Sequence, residues 1–403
     1  MALDYATVKQ CRVCGSVALA DVWAQAQQPL AGTYLEEGQL GQEPRLPLTV
    51  AYCRACTHVQ LREVMPAEVY RTYRFVGTGS AGYRDHLEAV AESFVHQHGI
   101  RGKRVLELGC NNGHLLKLLR DRGGNEVCGF EPSTALAREC QRDGLQVHNE
   151  FFGSKTAATC PLKPVDLIVV RHVLEHIDDL QDFVGAMRSV MAPAGGGLVL
   201  IEVPDLDSIL IKKHFSHFYH EHISYFSAAA LAKLMAAHGF VAVEQRIVDI
   251  HGGSLYAVFK ALPAAKTESS AQPAPTLEAL QGFVTDAQRS FEELRVFLED
   301  LRGGYRKVVG YGAAQRTTTI CSLAGLTARH VDYFVDKNPH LTGLYVPGIR
   351  LPIHAPQRLQ ADRPDVLVLF ATSFEREIMQ EQEAFRKAGG RFVQLFPHPR
   401  IVQ

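Results

Sequence analysis

No run of about 20 apolar residues occurs in this chain, so no membrane-spanning helix is expected. The opening MALDYATVKQCRVC lacks a basic segment followed by an apolar stretch, so no signal peptide is expected either. Charge of one sign is not in excess. The formal net charge is -1, which gives no overall electrostatic footprint for nucleic acid or an anionic membrane. Cysteine is sparse, nine in 403 residues, and five of the nine (Cys110, Cys128, Cys140, Cys160, Cys321) are scattered. That usage argues against a disulfide framework and fits a reducing, cytoplasmic setting. What remains is a globular composition, long enough for two or three domains.

The other four cysteines form two C-x-x-C pairs, Cys11/Cys14 and Cys53/Cys56, with a long insert of turns and short strands between them. Each pair offers two thiolates from one turn, and zinc prefers four in a tetrahedron. A structural, closed zinc site in a leading module (1–65) is expected, with a redox pair or four unrelated thiols as alternatives. From Lys103 to about Gly253 strand-like and helix-like segments alternate: RVLELG, HLLKLLRDRG, EVCGFEP, ALARECQRDG, VDLIVVRHVLEH, DFVGAMRSVMAP, GGLVLIEVP, ALAKLMAAHG. The alternation predicts an α/β fold with a doubly wound, largely parallel sheet in a domain spanning 66–262. Residues 263–304 should be a Pro/Ala/Ser-rich linker and a long amphipathic helix, because Leu277, Leu280, Phe283, Phe291, Leu294, Leu298 and Leu301 recur at helical spacing. The α/β pattern restarts with KVVGYGAA, VDYFVDKNP and DVLVLFAT, so 305–403 should be a second, smaller Rossmann-like domain.

The most informative motif is VLELGCNNGHLL with GFEPS. Gly109 and Gly113 follow a strand and open a helix, where the backbone approaches a ligand closely. Glu131 ends the next strand, placed to accept both hydroxyls of a ribose. The third glycine of a dinucleotide fingerprint is missing, as is any phosphate-cradling run. An adenosyl ligand without a pyrophosphate, S-adenosylmethionine, is therefore expected. Its contacts should come from Glu107, Gly109, Asn111, Gly113, Glu131 and Pro132, with Arg171 and His172 from the polar turn after the fourth strand.

The order of parts resembles a known family. The double C-x-x-C module, the glycine turn, YHEHISYFS (219–227), HGGSL (251–255) and the trailing GYGA turn are similar to those of the three-domain, zinc-containing nucleotide-sugar C-methyltransferases of deoxysugar biosynthesis. The resemblance implies a class I methyltransferase domain between a zinc module and a Rossmann-like domain. It also implies S-adenosylmethionine-dependent methylation of the carbon beside the ketone, typically C3, of a nucleoside-diphosphate 4-keto-deoxysugar. By the same resemblance the zinc ligands are Cys11, Cys14, Cys53 and Cys56. The catalytic stretch falls on Tyr219, Glu221 and His222, joined by Tyr73 (or Tyr70) and His176. The nucleotide-sugar is held between the last two domains by His251, Gly253 and Ser254 and by the turn of Gly310, Tyr311 and Gly312, with Arg316 in place of the family's lysine as a phosphate contact. Asp336, ending a strand, is a further candidate for a ribose or for turn capping.

C-methylation makes stated demands. A carbon beside a carbonyl is a poor nucleophile until a base removes its proton and a donor steadies the enolate oxygen. No metal is needed, because the sulfonium is already electrophilic. His222, with an ordinary pKa of about 6.5, suits the base. Tyr219 and Tyr73 suit the donors, His176 suits polarising the ketone, and Glu221, unable to share its neighbour's direction in an extended segment, suits a sugar hydroxyl or an anchor. HFYHEHISYF (217–226) is thus read as a substrate-facing loop rather than a metal site. The competing readings are an O- or N-methyltransferase on a similar sugar, or a non-catalytic nucleotide-sugar-binding protein. The expected partner is the nucleotide-sugar alone, without nucleic acid or membrane, and the layout is sufficient for a monomer.

Overall fold

Seven strands make the central sheet of the computed structural model, which describes residues 4–72, 78, 80–193, 196–263 and 274–402. In chain order they are β1 (Arg104–Leu108), β2 (Glu126–Phe130), β3 (Gln146–His148), β4 (Leu167–Arg171), β5 (Leu198–Pro204), β6 (Phe240–Val248) and β7 (Ser254–Ala261). Their order across the sheet is 3-2-1-4-5-7-6. β1 to β5 are parallel, and β7 is antiparallel to both neighbours. The apolar run of β4 is continuous, and that of β1 is broken only by Glu107, because both sheet faces are covered. Leu106, Leu108, Ile168 and Val170 enter one core, and Val105, Leu167 and Val169 enter the other, as the two-residue period of a strand requires. The strand order reverses between β1 and β4, which leaves a crevice at their carboxyl ends.

The leading residues fold as an antiparallel sheet of Leu19–Pro29, Arg45–Cys53 and Val59–Leu61. Its fourth strand, Ser224–Tyr225, comes from the far side of the middle domain's sequence and pairs with Val59–Gln60. That pairing pins the loop before it to the zinc module. The last sheet has six strands in the order Ile353–His354, Tyr333–Val335, Val308–Tyr311, Val366–Leu369, Arg391–Gln394, Arg400–Val402, all parallel except the final pair.

The periodic leucines do form one helix, Leu277–Gly304, opened by the Thr276 hydroxyl, which accepts the Ala279 N–H at 3.2 Å. Leu280, Phe283, Val284, Ala287, Phe291, Leu294, Leu298 and Leu301 lie on one buried stripe. The stripe packs simultaneously on Trp23 and Leu48 of the first sheet, on Phe215 and Phe218 of the histidine-rich loop, and on Val308 and Val366 of the last sheet. Most of the linker ahead of it (264–273) lies outside the described residues, as does Tyr73. Among the described residues no helix is long and apolar enough to cross a membrane.

Candidate active site

The two C-x-x-C knuckles meet. Each is closed by an N–H donated back to its first cysteine, Gly15 to the Cys11 carbonyl and Thr57 to the Cys53 carbonyl, both at 2.8 Å. Both donor residues are left-handed (φ 71° and 63°). The sulfurs of Cys11 and Cys56 are 3.4 Å apart, those of Cys14 and Cys53 are 3.7 Å apart, and all four lie within 4.8 Å of one another. Bond lengths of about 2.3 Å put tetrahedral sulfurs roughly 3.8 Å apart, so this set fits a closed zinc site.

The glycine turn after β1 also has the shape its motif predicts. Gly109 and Gly113 both stand at φ 70°, and a Cβ on Gly109 would meet Val173 at 2.3 Å. Glu131 is buried at the end of β2. Its two oxygens accept N–H bonds from Asn111 and Ser133, both at 2.8 Å, which holds the carboxylate square to the turn. Burial pushes its pKa up to about 7 against those two bonds. Burial pushes Glu107 up to about 8, and its Oε2 has no partner among the described residues. Glycines without side chains, a fixed diol acceptor and an orphaned buried carboxyl fit the nucleoside and polar tail of S-adenosylmethionine. Pro132 follows Glu131, its carbonyl bonded by the Asn149 amide at 2.9 Å.

Arg171 and His172, expected at the methyl donor, are also engaged by buried acids. They belong to a buried network around Glu202 of β5. Glu202 takes Arg171 Nε at 3.0 Å and His86 Nε2 at 2.9 Å, with His172 Nε2 at 3.7 Å. Arg171 also donates to the Tyr83 hydroxyl at 2.5 Å, and Tyr83 stacks near His251 with ring centroids 5.2 Å apart. Burial alone would raise Glu202, but Arg171, then His172 and His86, hold it well below the carboxylate range. Burial likewise opposes charge on His172, yet Glu175 and Glu202 bring it up to about 9. The network ties helix Ala81–Glu92, which carries Tyr83 and His86, across the carboxyl ends of β4 and β5.

The histidine-rich loop is not extended. A 3-10 turn, Phe215–His217, is followed by a tight turn in which the His222 N–H bonds the Tyr219 carbonyl at 3.1 Å. The turn brings the Tyr219 hydroxyl to 2.7 Å from His222 Nε2 and leaves His222 Nδ1 buried without a partner among the described residues. The His176 ring meets His222 edge-on at 4.9 Å, and His176 Nδ1 donates to the Glu221 carbonyl at 2.6 Å. Tyr70 reaches the same point, its hydroxyl 3.1 Å from that carbonyl and 3.3 Å from His176. Burial first, and then His176, His217, His172 and Arg316, depress His222 well below the usual histidine range.

Glu221 turns the other way, into the last domain. Gln315 Nε2 lies 3.0 and 2.8 Å from its two oxygens, and burial pushes Glu221 up to about 8 against that bond. Gly32 of the first module closes over the pair, where a Cβ would stand 2.9 Å from Glu221 Oε1 and 3.2 Å from Gln315 Nε2. Beside it Arg316 donates to Ser373 at 3.0 Å and stands 3.5 Å from His217. His214 stacks on His217, and Gly252 lies against His214.

Several of the expected contact residues also have partners within the fold. Gly310 is pressed against Phe334, Tyr311 packs in the apolar core behind the sheet, and the Ser254 hydroxyl turns inward to the Ile250 carbonyl at 2.9 Å. All three sit on strands, whose side chains project from the sheet faces and not beyond the carboxyl edge. Asp336 accepts the N–H groups of Ala313 (2.7 Å) and Asn338 (2.8 Å), the same fastening that Glu131 makes in the middle domain. Gly312, at φ 95°, approaches Ala371 where the order of the last sheet reverses. Gly253 is tucked against Ser208. His220 is bonded to the Pro47 carbonyl at 2.9 Å, and Tyr225 and Phe226 are core residues. Glu175, Glu202, His86, Tyr83, Gln315 and Gly32 carry no signal that the sequence reading used, although an acid inside the apolar run of β5 was a visible one.

A class I sheet with a nucleoside-holding glycine turn, a thiolate zinc module and a Tyr–His pair at the sheet's carboxyl edge together define a methyltransferase that takes its methyl from S-adenosylmethionine. Sequence comparison carries this further. A family model described as "C-methyltransferase C-terminal domain" matches residues 249–397, one described as "Methyltransferase domain" matches 83–245, and one described as "Putative zinc binding domain" matches 11–70. The C-methyltransferase NovU of Streptomyces niveus is 31% identical over 411 residues, 98% of this chain and 97% of its own length. The malonyl-[acyl-carrier protein] O-methyltransferase of Chlorobium luteolum is 32% identical over 114 residues, 27% of this chain and 43% of its own. Among solved structures, the magnesium protoporphyrin IX methyltransferase of Synechocystis with bound SAM aligns with 48% of this chain and 89% of its own, at 14% identity and a TM-score of 0.36. The chain belongs to the C-methyltransferase family, an enzyme with S-adenosylmethionine and structural zinc as its cofactors.

Proposed function

We propose that this enzyme methylates C3, the carbon beside the ketone, of a nucleoside-diphosphate 4-keto-deoxysugar. The observation that carries the reading is the Tyr219–His222 pair. His176, His217 and Arg316 surround it, and the guanidinium of Arg316 with the rings of His217 and His214 suits a diphosphate. With Nε2 engaged by Tyr219, His222 keeps the Nδ1 lone pair for the substrate proton. The Tyr219 hydroxyl accepts the His222 Nε2–H and is the proposed donor for the enolate oxygen that forms as the proton leaves, while His176 and Tyr70 hold the loop at the Glu221 carbonyl. Glu221, held by Gln315, is placed to accept a sugar hydroxyl or to anchor the loop. S-adenosylmethionine supplies the electrophilic methyl when bound. The residues around the cleft orient the carbanion face towards it and exclude water.

The test is exchange of the substrate's C3 proton for deuterium with S-adenosylhomocysteine in place of the donor. Wild-type protein should exchange. His222→Asn should exchange more slowly by a factor on the order of 10²–10⁴ while still binding S-adenosylhomocysteine. Exchange at the wild-type rate in His222→Asn, or methyl transfer to oxygen, refutes the reading.

A further inference from the structure

Two imidazoles and a carboxylate converge behind the loop. Glu175 is 1% exposed, and neither of its oxygens has a hydrogen-bond partner among the described residues. The nearest cationic group is His172 Nδ1, 3.6 Å from Oε1. Ligand atoms of Glu175, His176 and His222 all lie within 4.8 Å of one another. We propose that Glu175, His176 and His222 form a binding site for a divalent transition-metal ion of the zinc class, and that an ion held there blocks His222.

The outer contacts carry the proposal as much as the three side chains do. A metal-ligating histidine characteristically engages its second nitrogen with a carbonyl or other polar group, which fixes the ring and its tautomer. Both histidines are held this way. His176 Nδ1 is committed to the Glu221 carbonyl at 2.6 Å, which leaves Nε2 for a ligand. His222 Nε2 is committed to the Tyr219 hydroxyl at 2.7 Å, which leaves Nδ1. The two backbones are also tied, because the Ile223 N–H bonds the Glu175 carbonyl at 2.9 Å. Ligands about 2.1 Å from a common ion span at most roughly 4.2 Å, and one ligand atom from each of the three residues lies within 4.8 Å of the others. Two nitrogen donors select zinc, cobalt or nickel over magnesium and calcium, which want oxygen throughout. Three protein ligands leave a coordination position open towards the cleft. The site is separate from the cysteine cluster, which is closed. The ion takes the Nδ1 lone pair, so the blocking effect rests on His222 being the base as proposed above, whereas the binding site does not.

Full-length protein with its cysteine site zinc-loaded is stripped of weakly held metal and titrated with cobalt(II). The expected result is a visible ligand-field spectrum without a thiolate charge-transfer band, at one ion per chain. Glu175→Gln and, separately, His176→Asn should weaken cobalt binding by more than about 100-fold, since loss of even an outer-sphere partner costs about 10–100-fold. Melting temperature and zinc content report that each variant is folded. No cobalt spectrum at millimolar metal, or an unchanged one in both folded variants, overturns the site. Methyl transfer should fall in step with cobalt occupancy and return on chelation. Cobalt bound at full occupancy with turnover unchanged supports the site, overturns the block and removes His222 from the reaction.

Discussion

Replacing Arg171 by methionine isolates what holds helix Ala81–Glu92 across the carboxyl ends of β4 and β5. Glu202 is fully buried, and Arg171 Nε at 3.0 Å is its main partner. The methionine retains much of the arginine's apolar stem, so the change chiefly deletes charge and hydrogen bonds. Breaking one side of a buried pair costs about 3–5 kcal/mol, because the other charge stays buried without compensation. For a domain of roughly 150–250 residues each kcal/mol lowers the melting temperature by about 2–4 °C, which predicts a fall of roughly 6–20 °C. Removing both partners is a different perturbation. Arg171→Met with Glu202→Leu leaves an apolar pair and no buried carboxylate in need of a partner, so most of the lost stability should return. The pH dependence has a definite sign. Arg171, His172 and His86 depress Glu202 in the folded state. Its stabilisation is therefore present above the unfolded carboxylate value of about 4.3 and is lost as pH falls through the lower folded value. The single variant should flatten that acid limb. Thermal unfolding followed by circular dichroism, from strongly acid to neutral pH, measures all three quantities. A single variant within about 1 kcal/mol of wild type, or a double variant as unstable as the sum of its singles, refutes the reasoning.

Gly109→Ala should weaken S-adenosylhomocysteine binding by about tenfold or more in calorimetry, since the left-handed backbone costs an L-residue roughly 1–2 kcal/mol and the new methyl meets Val173. Glu131, pushed up to about 7, must be ionised to accept two ribose hydroxyls. Affinity for S-adenosylhomocysteine should therefore rise up to about tenfold per pH unit as pH climbs towards 7, and Glu131→Gln should remove that component. Cys53→Ser should lower zinc content measured by mass spectrometry and loosen the first sheet, with chelation of wild-type protein giving the same thermal shift. Gly32→Ala, whose methyl would stand 2.9 Å from Glu221, should impair methyl transfer while leaving S-adenosylhomocysteine affinity within about twofold, because the glycine touches Glu221 and not the donor site.

Much of this was legible from local pattern. Two C-x-x-C knuckles, the glycine turn with an acid at the end of the next strand, and the leucine stripe from Leu277 to Leu301 are short-range signals. Each is set by a ligand's geometry or a helix's period, and each appears where the sequence placed it. The Tyr219–Glu221–His222 cluster was visible as a cluster, but its internal geometry was not. The sequence suggested an extended segment, whereas a tight turn stacks Tyr219 on His222 and sends Glu221 the opposite way. Arg171 and His172 were read as ligand contacts because they sit in a turn at the right edge. The acid that claims them, Glu202, lies on the adjacent strand, with a whole helix between them in the chain.

The sequence by itself determined the architecture, the methyl-donor turn and the zinc ligands, since these follow from residue type and spacing, and its resemblance to a known family supplied the candidate reactive side chains. Only the tertiary structure decided that Gly32, Glu221 and Gln315 share one wall, that Ser224–Tyr225 completes the zinc module's sheet, and that Glu175 lies behind His176 and His222. These meetings join residues from distant parts of the chain. They depend on which sheet edge is open and on how the single helix Leu277–Gly304 packs against the first sheet, the histidine-rich loop and the last sheet at once, and no local period encodes either.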